Sequence, residues 1–255
     1  MDGTFLREDH SYDKKRFRRL IDQFKERGYL FVAASGRSMQ SLKLVFEDFV
    51  DEIGFVAENG SIVEYQGQTV FMDDPIPPEV YLPIIDGIDA GPYGSSRAMI
   101  LSGRKQFYLL KNVEPRFLEA MSNYYSHFHF VNSFEEVQED IIKLNAKFSP
   151  EEMDDARQWI NDSFEGITAM TTGFDNIDII PPGSNKSVGL SHLCVYLGVT
   201  KQNVVAFGDN QNDLDMMAFA GHAVATANAR EEVKTLADQV IGHCNDEAVL
   251  GYLEE

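Results

Sequence analysis

Residues 203–213 read NVVAFGDNQND, an apolar run that passes directly into a polar loop. The run has the composition of a parallel strand that is buried on both faces of its sheet. Asp209 and Asp213 follow it in the loop, and a helical pattern begins at Leu214. Because open α/β sheets bind their ligands at the carboxyl ends of the strands, this stretch predicts both an α/β fold and a functional loop.

Helices and buried strands alternate on both sides of this stretch. Apolar positions recur with a helical period in residues 12–26, Gly28 ends that pattern, and a continuous apolar run occupies residues 29–34. The other predicted elements are residues 39–49, 53–57, 61–65 and 69–71 in the first third of the chain, and residues 186–197, 214–220, 222–225, 229–237 and 240–241 in the last. This alternation predicts a layered α/β sheet domain.

Two proline-rich segments interrupt the alternation. Residues 73–78 contain three prolines within four positions, and residues 181–183 read PPG. The predicted elements between them are short strands at residues 97–101, 106–110, 127–131, 141–148 and within 170–180, together with a helix that begins at residues 149–152. We therefore predict an inserted α+β domain over residues 79–182, which divides a sheet domain formed by residues 1–78 and 183–255.

The charge of the chain limits its partners. Its 255 residues include 22 Lys and Arg against 41 Asp and Glu, a formal net charge of −19. This charge argues against nucleic acid and against anionic lipid, since both attract basic surfaces. Residues 1–10 lack the pattern of a signal peptide, and no window approaches the roughly 18 apolar residues of a membrane span. These features predict a cytoplasmic protein, whose two cysteines, Cys194 and Cys244, are buried and form no disulfide framework.

Three sets of residues carry the chemistry of a phosphate or metal site. Residues 35–37 read SGR after a strand, which offers a hydroxyl and backbone N–H groups to a phosphate or a simple helix cap. Lys186 begins a helix, where a cation is expected to be either exposed to water or bound to an anion. The two carboxylates of residues 208–213 fit Mg²⁺ or a solvated turn. An EF-hand is excluded because Leu214 occupies the position at which that loop needs glycine.

Together these residues form an ordered series with the amino terminus and one further turn. Its members are Asp2-Gly3-Thr4, Ser35-Gly36-Arg37, Glu58-Asn59-Gly60, Lys186, Gly208-Asp209 and Asn212-Asp213. The series resembles the haloacid dehalogenase superfamily, and within it the Cof-type subfamily that contains bacterial sugar phosphatases. The resemblance covers essentially the whole chain. It implies a Rossmann-like parallel sheet as the core and an inserted α/β cap domain.

The resemblance also implies a reaction and its residues. An aspartate would take the phosphoryl group from a small phosphorylated sugar as an aspartyl phosphate, and water would then release it. The implied catalytic residues are Asp2 as general acid and base, with Ser35 and Lys186. The implied substrate contacts are Gly3, Thr4, Ser35, Gly36, Arg37, Lys186 and Asn212. The implied Mg²⁺ ligands are the carbonyl of Asp2, Asp209, and Asp213 directly or through water.

The chain departs from the family pattern at one position. The attacking aspartate would stand directly before Met1, so the strand that carries it would also precede this sequence. A natural start upstream would supply both, and we expect a gap in the sheet without that strand. Two alternatives remain open, a non-catalytic phosphosugar- or Mg²⁺-binding protein and a phosphotransferase or mutase of the same superfamily. We expect a monomer or a weak homodimer.

Overall fold

The computed structural model describes residues 1–125, 127–171 and 175–255, which fold into two compact units. The first unit comprises Met1–Ser35, Val45–Phe71 and Asn185–Glu255, and the second comprises Gly36–Leu44 and Met72–Ser184. The insertion predicted over residues 79–182 therefore falls within the second unit. Residues 172–174, which belong to the predicted closing strands, lie outside the described residues.

The helices of the described residues are short to medium in length. They are α1 Lys14–Arg27, α2 Met39–Val45, α3 Pro78–Ala90, α4 Pro115–Met121, α5 Met153–Ser163, α6 Lys186–Leu197, α7 Leu214–Phe219, α8 Glu231–Leu236 and α9 Ala248–Leu253. The ends of α1 follow from its sequence. The Asp13 carboxylate accepts from the N–H groups of Lys15 and Arg16, and Gly28 closes the helix in the left-handed conformation, at φ 71°.

The strands of the first unit form two sheets. They are β1 Val32–Ala34, β2 Gly54–Ala57, β3 Ile62–Tyr65 and β4 Gln68–Met72, in that spatial order, and β11 Val205–Gly208, β12 His222–Ala225 and β13 Gln239–Val240. β1 and β2 are parallel, as are the three strands of the second sheet. Among the described residues β1 and β11 each lie at the edge of their own sheet, with a neighbour on one side.

The second unit contains a mostly antiparallel sheet. Its strands are β5 Met99–Gly103, β6 Phe107–Leu110, β7 Phe128–Val131, β8 Ile141–Lys147, β9 Thr168–Thr171 and β10 Asn176–Ile180, in the spatial order β7-β6-β5-β8-β10-β9. β8 alternates between two environments. Leu144 and Ala146 belong to the apolar core that includes Ile84 and Ile160 of α3 and α5. Lys143 and Asn145 lie on the opposite face and are also buried.

Several predicted elements differ from the observed ones at their ends. The strand predicted over residues 29–34 begins at Val32, because the N–H of Tyr29 bonds to the Phe24 carbonyl and belongs to the end of α1. The proline-rich segment of residues 73–78 was predicted as a linker, but Pro78 is the first residue of α3. Proline suits that position, since its missing N–H would have no helical partner there.

Two further expectations from the sequence concern membrane-spanning helices and the cysteines. Within the described residues, the longest apolar helical stretches fall short of what a membrane crossing needs. Cys194 and Cys244 are both buried free thiols, as predicted. Burial raises the pKa of each thiol, so neither is poised as a thiolate nucleophile.

Candidate functional site

The loop after β11 is organised by Asp213. Its Oδ2 accepts hydrogen bonds from the backbone N–H groups of Asp209 and Asn210, at 3.0 and 3.1 Å. Asn210 caps the same turn through the N–H of Gln211. The Asp213 side chain is 3% exposed. A polar sequence that reads as a solvated turn is thus a rigid loop built around a buried carboxylate.

Lys186 supplies the positive charge that this carboxylate needs. Its Nζ lies 2.6 Å from Oδ1 of Asp213, and its own side chain is 3% exposed. Asn185 caps α6 through the N–H groups of Ser187 and Val188, so Lys186 occupies the first turn of the helix. Burial is the largest single effect on Asp213 and works to raise its pKa. The charges of Lys186 and of the amino terminus, together with hydrogen bonds from Lys186 and the Asp209 N–H, outweigh it, and the pKa lies below its ordinary 3.8. The interpretation of Lys186 as a cation exposed to water is therefore wrong.

Asp209 stands against the amino-terminal turn. Its Oδ1 accepts a hydrogen bond from the Thr4 hydroxyl. A Cβ added to Gly3 would lie 2.5 Å from its Oδ2, and Gly3 has φ +73°, so only glycine fits this close approach. Burial raises the pKa of Asp209 above 3.8, and the negative charge of Asp213 adds to that shift. A desolvated carboxylate next to a second one is an environment that favours a bound cation.

Residues from the last part of the chain hold the amino-terminal turn. The carbonyl of Gly3 accepts from Asn228 Nδ2 at 2.6 Å and from the Thr226 hydroxyl at 3.3 Å. On the other side of the turn, Nδ1 of His10 lies 2.9 Å from Oδ1 of Asp2. Gly3 and Thr4 are thus held by distant residues of the first unit, and Asp2 by a nearby one.

A chain of hydrogen bonds connects Ser35 with the same loop. The Asn59 N–H donates to the Ser35 carbonyl at 3.0 Å, and Asn212 Nδ2 donates to Asn59 Oδ1 at 3.1 Å. Asn59 and its neighbour Glu58 are buried with φ of 54° and 49°. Such left-handed conformations are costly away from glycine and concentrate at functional sites. The first unit therefore brings Ser35, Lys186, Asp209, Asn212 and Asp213 into one connected arrangement.

Two predicted substrate contacts belong to the second unit. The carbonyl of Gly36 accepts from Lys143 Nζ at 2.8 Å. The Arg37 guanidinium carbon lies 5.1 Å from the centre of the Tyr124 ring, a cation–π geometry. Lys143 is itself 3.5 Å from the buried carboxylate of Asp178, which accepts from Asn145 at 2.7 Å.

The oxygen atoms around Asp209 fit a hard divalent cation. Mg²⁺ takes one or two protein carboxylates and keeps several waters, and the Asp209 carboxylate suits that role. Among the described residues no three His, Cys, Asp or Glu side chains form a ligand cluster by themselves. Both oxygens of Asp213 already accept hydrogen bonds. A contact from Asp213 to the cation is therefore expected through water.

Some residues of this arrangement carry no recognisable signal in the sequence. Asn228 stands outside the ordered series, and nothing in its spacing showed that it binds Gly3. His10 had no signal, because a lone histidine in a polar loop is not distinctive. Asn59 was part of the ordered series, and the structure now shows what it does, since it connects Ser35 to Asn212.

Comparison with known proteins gives one consistent result. Residues 1–253 match the family model of haloacid dehalogenase-like hydrolases. The chain is 30% identical to the 5-amino-6-(5-phospho-D-ribitylamino)uracil phosphatase YbjI of Escherichia coli, over 100% of this chain and 93% of that protein. It is 24% identical to the HMP-PP phosphatase of Cronobacter sakazakii, with 99% and 92% covered. The crystal structure of SMU.1108c from Streptococcus mutans matches with a TM-score of 0.93 and 31% identity, covering 100% of this chain and 95% of that one.

Proposed function

The chain belongs to the haloacid dehalogenase-like hydrolases, and we propose that it is a Mg²⁺-dependent phosphatase of small phosphorylated sugars. The observation that carries the proposal is the connected arrangement of Lys186, Asp213, Asp209 and Thr4 in the first unit. It combines a buried cation for a phosphoryl group with a buried carboxylate for a metal. Two relatives are named as phosphatases of small phosphorylated compounds, which supports that class of substrate.

Lys186 and Ser35 are assigned to the phosphoryl group. An ammonium has three N–H donors, so Lys186 can bind a phosphoryl oxygen while it remains bonded to Asp213. The buried ion pair holds the ammonium in place before the substrate arrives. Charge that develops on the phosphoryl oxygens then meets a donor that needs no reorganisation. Ser35 adds a hydroxyl, and Asn59 fixes its backbone.

Asp2 is assigned to the proton transfers. Its carboxyl gives a proton to the leaving alcohol and later takes one from the water that releases phosphate. The bonds from Asn228 and Thr226 to Gly3 fix the backbone directly after it. The attacking carboxylate stands directly before Met1 in this proposal, so turnover requires a chain that is extended upstream.

Asp209, the carbonyl of Asp2 and, through water, Asp213 are assigned to Mg²⁺. When bound, the ion neutralises negative charge on the phosphoryl group and on the attacking carboxylate. The Thr4 hydroxyl orients Asp209, and the close approach of Gly3 leaves its carboxylate little freedom. These contacts orient the Asp209 carboxylate before an ion binds.

The test is phosphate release from a panel of phosphorylated sugars and p-nitrophenyl phosphate. The chain extended by an Asp directly before Met1 and by its upstream strand should release phosphate with Mg²⁺ and not with EDTA. The chain that begins at Met1 should release a negligible amount. Robust Mg²⁺-dependent turnover by that shorter chain would show that the attacking residue is misassigned.

A pair of variants of the extended chain tests the metal ligand. Asp209→Asn should abolish Mg²⁺-dependent turnover, because the replacement removes the charge but keeps the shape of the side chain. Asp215→Asn is the matched control, since Asp215 is an exposed aspartate two residues beyond the loop. Full activity in Asp209→Asn would contradict the metal assignment. Phosphosugar binding without turnover in the extended chain would instead favour a binding protein.

A further inference from the structure

We propose that His10 is a positioning residue for the general acid Asp2, an inference that rests on the proposed phosphatase function. Nδ1 of its imidazole lies 2.9 Å from Oδ1 of the Asp2 carboxylate. The side chains of His10 and Asp2 are 39% and 17% exposed, so the pair is partly open to solvent and does not lie in the core. A hydrogen bond at this distance restricts the carboxylate to one orientation.

The backbone that presents His10 is built for this contact. His10 adopts φ 63°, a left-handed conformation that is uncommon away from glycine. Its N–H donates to the Arg7 carbonyl at 2.9 Å, and the Arg7 N–H donates to the Ser11 carbonyl at 3.0 Å. Asp9 tightens the turn by accepting from the N–H and hydroxyl of Ser11. The hydrogen bonds of the turn therefore hold His10 in a backbone conformation that is unfavourable by itself.

The turn is also anchored to the carboxyl-terminal part of the first unit. Arg7 forms an ion pair of 2.9 Å with Glu247, whose side chain is 8% exposed. Glu8 exchanges two hydrogen bonds with Asn245, through its backbone N–H at 2.9 Å and its carboxylate at 3.0 Å. Two residues that precede His10 are therefore anchored to the last part of the chain, and the turn places the imidazole against Asp2.

The consequence is specific to substrates with poor leaving groups. An alkyl phosphate expels an alcohol that must be protonated as the P–O bond breaks, so it depends on a well-oriented Asp2. p-Nitrophenyl phosphate expels a stable phenolate and needs little protonation. The value of kcat/KM covers the steps through release of the leaving group and is not affected by later hydrolysis of the intermediate. Loss of His10 should therefore lower kcat/KM for the alkyl substrate selectively.

Two variants of the extended chain separate the imidazole from the backbone strain. His10→Gly relieves the strain and removes the contact. His10→Asn tolerates the left-handed conformation and places an amide nitrogen near the position of Nδ1. We expect His10→Gly to lower kcat/KM for D-ribose 5-phosphate by about tenfold or more, part of the 10²–10⁴ that general acid catalysis typically supplies. The same variant should leave p-nitrophenyl phosphate nearly unchanged, and His10→Asn should recover most of the loss.

The matched control is His222→Asn. His222 is 38% exposed and lies 3.3 Å from the Asp238 carboxylate, so it has a similar pairing elsewhere in the first unit. His222→Asn should leave kcat/KM unchanged for both substrates. An equal loss on both substrates in His10→Gly, or no loss on either, would overturn the role of His10 while the phosphatase proposal stands. An extended chain that hydrolyses neither substrate would overturn both.

A second measurement needs no turnover and uses the chain that begins at Met1. The ¹⁵N chemical shifts of the imidazole nitrogens report which nitrogen carries the proton and what it contacts. Asp2→Asn should move the Nδ1 shift of His10 and leave that of His222 in place. An unchanged His10 signal would show that the contact is absent in solution, and the inference would fail.

Discussion

The ion pair of Lys186 and Asp213 offers the sharpest test of how the loop is held. Both side chains are 3% exposed and 2.6 Å apart. Lys186→Met keeps the length and apolar stem of the side chain but leaves a buried carboxylate without its cation. Removing one partner of a buried pair costs about 3–5 kcal/mol. Since whole domains are stable by about 5–15 kcal/mol, this loss is a large part of the total.

Urea unfolding at neutral pH in EDTA measures this cost without a contribution from metal. Lys234→Met is the matched control, because Lys234 pairs with a largely exposed Glu231 and should cost less than about 1 kcal/mol. The double variant Lys186→Met/Asp213→Asn removes the stranded charge. It should be more stable than Lys186→Met alone, which gives a coupling energy of about 1 kcal/mol or more. A single-variant cost no larger than that of the control, or zero coupling, would refute the reasoning.

Two further predictions concern the close approach of Gly3 and a surface carboxylate. Gly3→Ala combines positive φ with a Cβ that would lie 2.5 Å from Asp209, whereas Gly67→Ala has a similar φ and no atom within 4 Å. Both should lose stability in urea unfolding, Gly3→Ala by about 1–3 kcal/mol more, and an equal loss would exclude the steric argument. Hydrogen bonds from Arg18 hold the pKa of Glu52 at about 2, below its ordinary 4.5, against the opposing effect of burial. The contribution of Glu52 is thus present above pH 4.5 and lost as pH falls toward about 2. Glu52→Gln should be less stable than the parent by about 1 kcal/mol at pH 7, with the difference vanishing near pH 2, and a constant difference would contradict this assignment.

The elements with strong end signals were the easiest to predict from the sequence. Residues 186–197 were predicted as a helix and α6 has those bounds, because Asn185 caps its start and Gly198 closes its end at φ 67°. β12 likewise matches residues 222–225. α3 was missed, since its proline-rich start reads as a linker when Pro78 is not recognised as the first helical position. Capping residues therefore predict the ends of a helix well, whereas proline can mark either a linker or the first turn of a helix.

Some features of the site could likewise be predicted from the sequence, and others could not. Asp209, Asp213 and Lys186 could be found because their positions after strands or at helix starts are visible in the sequence. The pairing of Lys186 with Asp213 could not, since 27 residues separate them and burial decides which partner a cation takes. The contacts of Asn228 with Gly3 and of His10 with Asp2 depend on turns whose geometry is set by tertiary anchoring. Such contacts leave no periodic pattern in the sequence.

The two separate sheets of the first unit bear on how the protein behaves at high concentration. Within the described part of the chain, β1 and β11 each present one side with backbone N–H and C=O groups that no neighbouring strand covers. Val205 at the start of β11 is 47% exposed, and no lysine or proline interrupts either strand. Natural proteins protect such edge strands with charged residues or proline, because an unprotected edge strand can pair with a strand of another molecule. The chain should accordingly form oligomers as its concentration rises.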